Sequence, residues 1–164
     1  MKSVPHDFSE INPQEVRVLV IEDNPEDREL LQRQLRKSGL AEGICFISDG
    51  KEALKFIADN SVVLGENLMV IFLDLKLPGL DGLELLRKIR KNPESAAIPV
   101  IVMTSSQRPS DLEECRKLKT ANYVEKPVTF ASFSKAMADV FHLRADRAEP
   151  PEKPNIGVLS AGRI

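Results

Sequence analysis

Short apolar runs alternate along the chain with longer stretches in which apolar residues recur three and four apart. The runs are VRVLVI (16–21), ICFIS (44–48), LMVIFL (68–73), PVIVM (99–103) and NYVE (122–125). Several are nearly continuous in Val, Ile, Leu and Met, as strands buried on both faces of a parallel sheet require. The helical stretches are marked by Leu30, Leu31 and Leu35, then by Ala53, Leu54, Phe56 and Ile57, then by Leu85, Leu86 and Ile89. A fourth, near 109–118, has only Leu112, Cys115 and Leu118 and is expected to be the least firmly anchored. A fifth carries Phe130, Phe133, Met137, Val140 and Phe141, which reads as a strong core face. Five strands alternating with five helices predict an α/β fold, a doubly wound parallel sheet covered by helices on both sides.

Punctuation along the chain supports this spacing. Asn24 is placed to cap the first helix, with Pro25 at its first position and Asp27 in its first turn. Gly39 follows that helix, and LPGLDG (77–82) reads as a turn into the third. Residues 1–14 are polar and interrupted by proline, and read as an N-terminal extension. Residues 15–143 read as one folded domain, and 144–164, Pro-rich and charged before a weakly apolar close, as a tail with no fold of its own.

Composition narrows the setting. An apolar fraction of 42% with 29% charged residues is that of an ordinary globular protein. A net charge of −2 gives no bulk attraction to nucleic acid or to a membrane, so neither is expected as a direct partner. Two cysteines, Cys45 and Cys115, each fall inside an apolar pattern, which suits a reducing compartment better than a disulfide framework. Neither a leader-like apolar run nor a membrane-spanning stretch is visible, and a cytoplasmic location is expected.

In an open parallel sheet, chemistry gathers at the carboxyl ends of the strands, where the strand order reverses. The residues just after the apolar runs are Glu22 and Asp23, Asp74, then Thr104, Ser105 and Ser106, and finally Lys126 followed by Pro127. Each has an unremarkable alternative: a helix-capping acid, a turn aspartate, a hydroxyl bonded to its own backbone, a solvated lysine. Together, at the ends of four strands, they form a chemical set. Crowded carboxylates repel unless a hard cation neutralises them, and oxygen donors suit Mg²⁺. One carboxylate can accept a phosphoryl group as an acyl phosphate, while a lysine and a hydroxyl stabilise the transferring oxygens.

The stretches VLVIEDNPEDRELL, FLDLKLPGLDGLELLRKIR, IPVIVMTSS and YVEKPVTFASF together resemble the receiver domain of two-component response regulators, over about residues 14–143. KPVTFASF is most similar to small stand-alone receivers, including those that serve bacterial phytochrome kinases. The resemblance implies a five-stranded flavodoxin-like sheet of order 2-1-3-4-5. It implies phosphoryl transfer onto Asp74 from a sensor histidine kinase or a histidine phosphotransfer protein, with Mg²⁺ or Mn²⁺ as cofactor. Asp23 would be the direct metal ligand beside Asp74, Glu22 would act through water, and the main-chain carbonyl of Lys76 would complete the protein's share. Thr104 and Tyr123 would be the switch pair, with Tyr123 turning from an exposed to a buried position. Lys126 would be the site lysine, its bond to Pro127 cis. Output would leave through a protein-docking surface on the fourth helix, fifth strand and fifth helix, toward a downstream protein partner, with a homodimer left open.

Three departures from the family pattern stand out. The stretch ADNSVVLGEN (58–67) lengthens the connection before the third strand, so an added helical turn or loop is expected. Lys119 falls where the family commonly has glycine, so the approach to the fifth strand is expected to be built differently. Lys76 and Ser106 occupy variable positions that bear on the lifetime of a phosphorylated form. The competing readings are a pseudo-receiver, an interaction module indifferent to phosphorylation, and an aspartyl phosphohydrolase. The latter needs a general acid two residues past the nucleophile, where Lys76 stands. A nucleotide site lacks any glycine-rich phosphate loop. The chain is expected to be no conventional enzyme, catalysing only its own phosphorylation and slow dephosphorylation.

Overall fold

The computed structural model describes residues 12–37, 42–66, 70–105 and 108–147, with the side chains of 141–147 outside that description. A 3₁₀ turn at Pro13–Glu15 precedes five βα units. They are β1 (Val18–Ile21), α1 (Pro25–Lys37), β2 (Ile44–Ile47), α2 (Gly50–Glu66), β3 (Val70–Asp74), α3 (Gly82–Lys91), β4 (Val100–Thr104), α4 (Pro109–Lys117), β5 (Asn122–Glu125) and α5 (Phe130–Arg147). All strand pairs are parallel, in the order β2-β1-β3-β4-β5.

Alternation along each strand divides the core into two layers, because successive side chains point to opposite faces. Leu19, Ile21, Ile71, Leu73, Val100 and Val102 pack with α2 and α3 and with Cys115 of α4. Val18, Val20, Val70, Phe72, Ile101 and Met103 pack with α1 and α5, where the rings of Phe72 and Phe133 stack with centroids 5.0 Å apart. Both cysteines are free and buried, and burial pushes the thiols up to about 12 for Cys45 and about 11 for Cys115.

Three expectations meet the structure at particular residues. The lengthened connection is absorbed by α2 itself, a 17-residue helix whose Ser61 hydroxyl donates to Glu94 Oε2 at 2.6 Å. Phe130 is no core residue: it is 45% exposed at the first position of α5, and the sheet-facing stripe begins one turn later at Phe133. Phe141 lies outside the described side chains. The expected boundary at residue 143 falls inside α5, and residues 148–164 lie outside the described residues.

The approach to β5 is not rebuilt around Lys119. Lys119 adopts the left-handed conformation itself, with φ 55°. Its N–H donates to the Arg116 carbonyl at 3.1 Å and the Thr120 N–H to the Cys115 carbonyl at 3.3 Å, the two bonds of a Schellman helix end. A side chain at this position costs about 1 kcal/mol or more relative to glycine, and Arg90 offsets it from across the fold. Its guanidinium donates to Leu118 O (2.8 Å), Lys119 O (3.3 Å), Ala96 O (3.1 Å) and Ile98 O (2.7 Å). What reads in sequence as a basic residue in the last turn of α3 is a clamp on two loops.

Arg90→Ala strands four carbonyls at once, so urea unfolding is expected to show a loss of about 2–4 kcal/mol. Arg90→Lys should recover little of it, because a point-charge ammonium cannot reproduce the planar fork.

Candidate functional site

Strand order reverses between β1 and β3, and the loops leaving their carboxyl ends part there to open a crevice. Glu22 and Asp23 follow β1, and Asp74 is the last residue of β3. One carboxylate oxygen from each of these three residues falls within 4.8 Å of the others. Glu22 and Asp74 are only 2% and 4% exposed, while Asp23 is half-buried.

Local sequence holds these acids in place. Glu22 Oε1 accepts the N–H of Asn24 at 3.1 Å, folding its side chain back over the turn. Asn24 Oδ1 then accepts the N–H groups of Glu26 (2.9 Å) and Asp27 (3.3 Å), so the N-cap that starts α1 also ends the acidic turn. Beyond β3, Asp74 Oδ1 accepts the N–H of Lys76 at 3.1 Å. The start of α3 comes up against this loop at Gly82, whose N–H donates to Leu75 O at 3.1 Å. A Cβ at Gly82 would lie 2.4 Å from the Asp74 carbonyl oxygen and 2.5 Å from Leu75 Cα, so no other residue fits without moving the acceptor loop.

Lys126 joins the acids from the far side. Its ammonium donates to Asp74 Oδ2 at 2.9 Å and pairs with Glu22 Oε2 at 2.6 Å. Its third contact is Asp27 Oδ2 at 3.1 Å. The Lys126 N–H donates to Thr104 O at 3.0 Å, which extends the β4–β5 ladder by one bond, and the Lys126–Pro127 peptide is cis. Asp27 is the residue that sequence reasoning took only for a first-turn acid. Its separation of 99 positions from Lys126 leaves no local signal.

Thr104 ends β4 almost fully buried and its side chain hydrogen-bonds to the Tyr123 phenol. Tyr123 is not exposed: it is half-buried and packs against the α2/α3 core layer. Burial raises its phenol above the ordinary value, and the Thr104 bond opposes that rise. The side chain of Lys76 is exposed, and Ser106 lies outside the described residues.

Glu22, Asp27 and Asp74 place three carboxyls around one ammonium, and Asp23 adds a fourth beside Glu22 and Asp74. Burial pushes the Glu22 carboxyl up to about 7, opposed by its bond to Lys126 and reinforced by the charge of Asp74. Burial would lower Lys126, but its bonds to Glu22 and Asp74 outweigh that and hold it above its ordinary value. Negative charge therefore remains in excess beside an all-oxygen donor set, and Glu22, Asp23 and Asp74 fit a hard divalent cation.

Because the folded state holds the Glu22 proton more tightly than the unfolded state, its contribution is present at pH below about 4.5 and lost as pH rises through about 7. In metal-free buffer, the wild type should lose about 1–3 kcal/mol across that window relative to Glu22→Gln, read from urea midpoints at successive pH values. Parallel profiles for the two proteins would show that Glu22 does not titrate there.

Comparison with known proteins places this geometry. The family model described as "Response regulator receiver domain" matches residues 18–138. Response regulator Rcp1 of Synechocystis sp. (strain ATCC 27184 / PCC 6803 / Kazusa) is 34% identical over 120 residues, covering 71% of this chain and 80% of that protein. The solved bacteriophytochrome response regulator AtBRR is 37% identical with a TM-score of 0.65, over 77% of this chain and 94% of that one. The Mn(2+)-bound form of Rcp1 superposes with a TM-score of 0.59 at 28% identity, over 82% of this chain and 95% of that one. No helix among the described residues is long and apolar enough to cross a membrane. With its five parallel strands, its strand order and its matched span, the chain belongs to the receiver domains of two-component response regulators.

Proposed function

We propose that this receiver takes a phosphoryl group onto Asp74 from a phosphohistidine of a sensor kinase or a histidine phosphotransfer protein. The observation that carries the reading is the buried Asp74 carboxylate, hydrogen-bonded to Lys126 at 2.9 Å beside the Glu22–Asp23 pair. In the step, an Asp74 oxygen attacks phosphorus and the P–N bond to the donor imidazole breaks. The electron pair leaves with the imidazole, which takes a proton from solvent. Lys126 stabilises charge on the transferring oxygens, and the Lys76 N–H fixes the orientation of the Asp74 carboxylate.

Asp23 and Asp74 would hold Mg²⁺ or Mn²⁺ directly, with Glu22 through water and the main-chain carbonyl of Lys76. Bound there, the cation offsets the excess carboxylate charge that would otherwise repel an anionic donor. The Mn(2+)-bound state of the relative Rcp1 supports this assignment. The domain would catalyse only its own phosphorylation and slow dephosphorylation, in the cytoplasm.

Thr104 and Tyr123 would carry the signal outward. Phosphoryl oxygens offer the Thr104 hydroxyl a stronger, charge-assisted acceptor than the Tyr123 phenol it now meets. Turning toward them releases Tyr123 and loosens the start of α4, whose buried anchor is Cys115. The far end of α4 stays tied to α3 through the Arg87–Glu114 ion pair and the Arg90 clamp. A two-state shift of α4, β5 and α5 would then present the docking surface for a downstream protein.

Incubation with acetyl phosphate and Mg²⁺ should add one phosphate by intact mass, absent in Asp74→Asn and in excess chelator, and strongly reduced in Asp23→Ala. Label persisting in Asp74→Asn would move the acceptor elsewhere, and an unlabelled wild type would leave a pseudo-receiver. Tyr123 is the sole tyrosine and there is no tryptophan, so fluorescence reports on it directly. Beryllofluoride with Mg²⁺ should change its emission and quencher access, and should do so much less in Thr104→Ala. A protein that binds the mimic with neither signal moving would remove the pair from the switch.

A further inference from the structure

We infer that Asp27 is a positioning residue that competes with the phosphoryl group for the Lys126 ammonium and so restrains phosphorylation of Asp74. The inference rests on the proposed role of Asp74. Lys126 has three N–H donors, and in the unphosphorylated chain all three meet carboxylates: Glu22 at 2.6 Å, Asp74 at 2.9 Å and Asp27 at 3.1 Å. A phosphoryl oxygen arriving on Asp74 needs one of these donors, so one present bond must be given up.

The three acceptors are not equally easy to release. The Glu22 side chain is 2% exposed, and a carboxylate stripped of its partner there would have little water to replace it. The Asp74 side chain is 6% exposed, and its bond to Lys126 holds the acceptor in place until transfer. Asp27 is 34% exposed, makes the longest of the three contacts, and stands on α1 instead of at a strand end. Water can take over its lone pairs at small cost. Asp27 is therefore the partner that Lys126 exchanges for phosphate.

Asp27 has a second role that the test must separate. It sits in the first turn of α1 with its N–H on Asn24 Oδ1, where an acid favours the helix dipole. Glu26, its neighbour in the same turn, is exposed and likewise donates its N–H to Asn24. Glu26→Gln removes an equal dipole charge without touching Lys126.

Initial rates of labelling by acetyl phosphate, followed by intact mass at fixed Mg²⁺, decide the matter. Asp27→Asn and Asp27→Ala should label roughly threefold to fivefold faster than wild type, the scale of one half-exposed ion pair. Glu26→Gln should stay near the wild-type rate. In a Lys126→Ala background, slower throughout, adding Asp27→Asn should bring no further acceleration, because the competition is for that ammonium. If wild type labels and Asp27→Asn does not accelerate, or if the acceleration persists without Lys126, the inference is overturned while the acceptor role of Asp74 stands. If wild type takes no label at all, the acceptor role falls and this inference falls with it.

Discussion

The balance between one ammonium and the carboxyls around it governs the site. Lys126 reaches Glu22 and Asp74 at 2.6 and 2.9 Å in a crevice that exposes almost none of either acid. Without that cation, burying the two acids side by side would cost several kcal/mol in desolvation and repulsion. With it, the cluster remains short of positive charge. That shortfall makes an oxygen-lined cation site and an acyl-phosphate acceptor chemically reasonable in the same few ångströms.

The scaffold exists to maintain this arrangement. Parallel pairing puts the carboxyl ends of β1, β3, β4 and β5 on one edge, and the backbone bond from Lys126 to Thr104 carries that edge one residue past β5. Gly82 lets α3 start directly against the Asp74 loop, where any Cβ would strike backbone. The Asn24 cap ends the acidic turn and begins α1, the helix that brings Asp27 to Lys126. Both faces of the sheet are filled by large, fully buried side chains, so the edge is carried on a rigid body.

Against that rigid body α4 is held unevenly. Its apolar face buries only Cys115, while its C-terminal turn is secured by a Schellman motif and by Arg90 reaching across from α3. Lys119 in a left-handed conformation is a local cost that the clamp offsets. A helix secured at its C-terminal turn and with one buried apolar residue along its length can shift at small energetic cost.

Periodicity and strand-end chemistry were legible in the chain itself, because they follow from local rules: period two or continuous apolar runs for strands, three and four for helices, and polar residues where strands stop. The family resemblance supplied the strand order, which no local pattern encodes. What the sequence could not carry lies at long separation. Asp27 and Lys126 meet across 99 positions, Arg90 meets Leu118 across 28, and Ser61 meets Glu94 across 33. Nothing in the local pattern around Asp27, Arg90 or Ser61 marks the distant partner. Phe130 matched the helical period yet stands outside the core, since period says which residues share a stripe and not where the sheet beneath it ends. Lys119 shows the same limit in backbone terms. A left-handed residue other than glycine is disfavoured locally, and only tertiary hydrogen bonds decide whether the cost is met. The chain alone determined which residues form strands and helices and which polar residues stand where the strands stop; only the folded structure decided which distant groups neutralise or clamp one another, because charge and hydrogen bonding act through space.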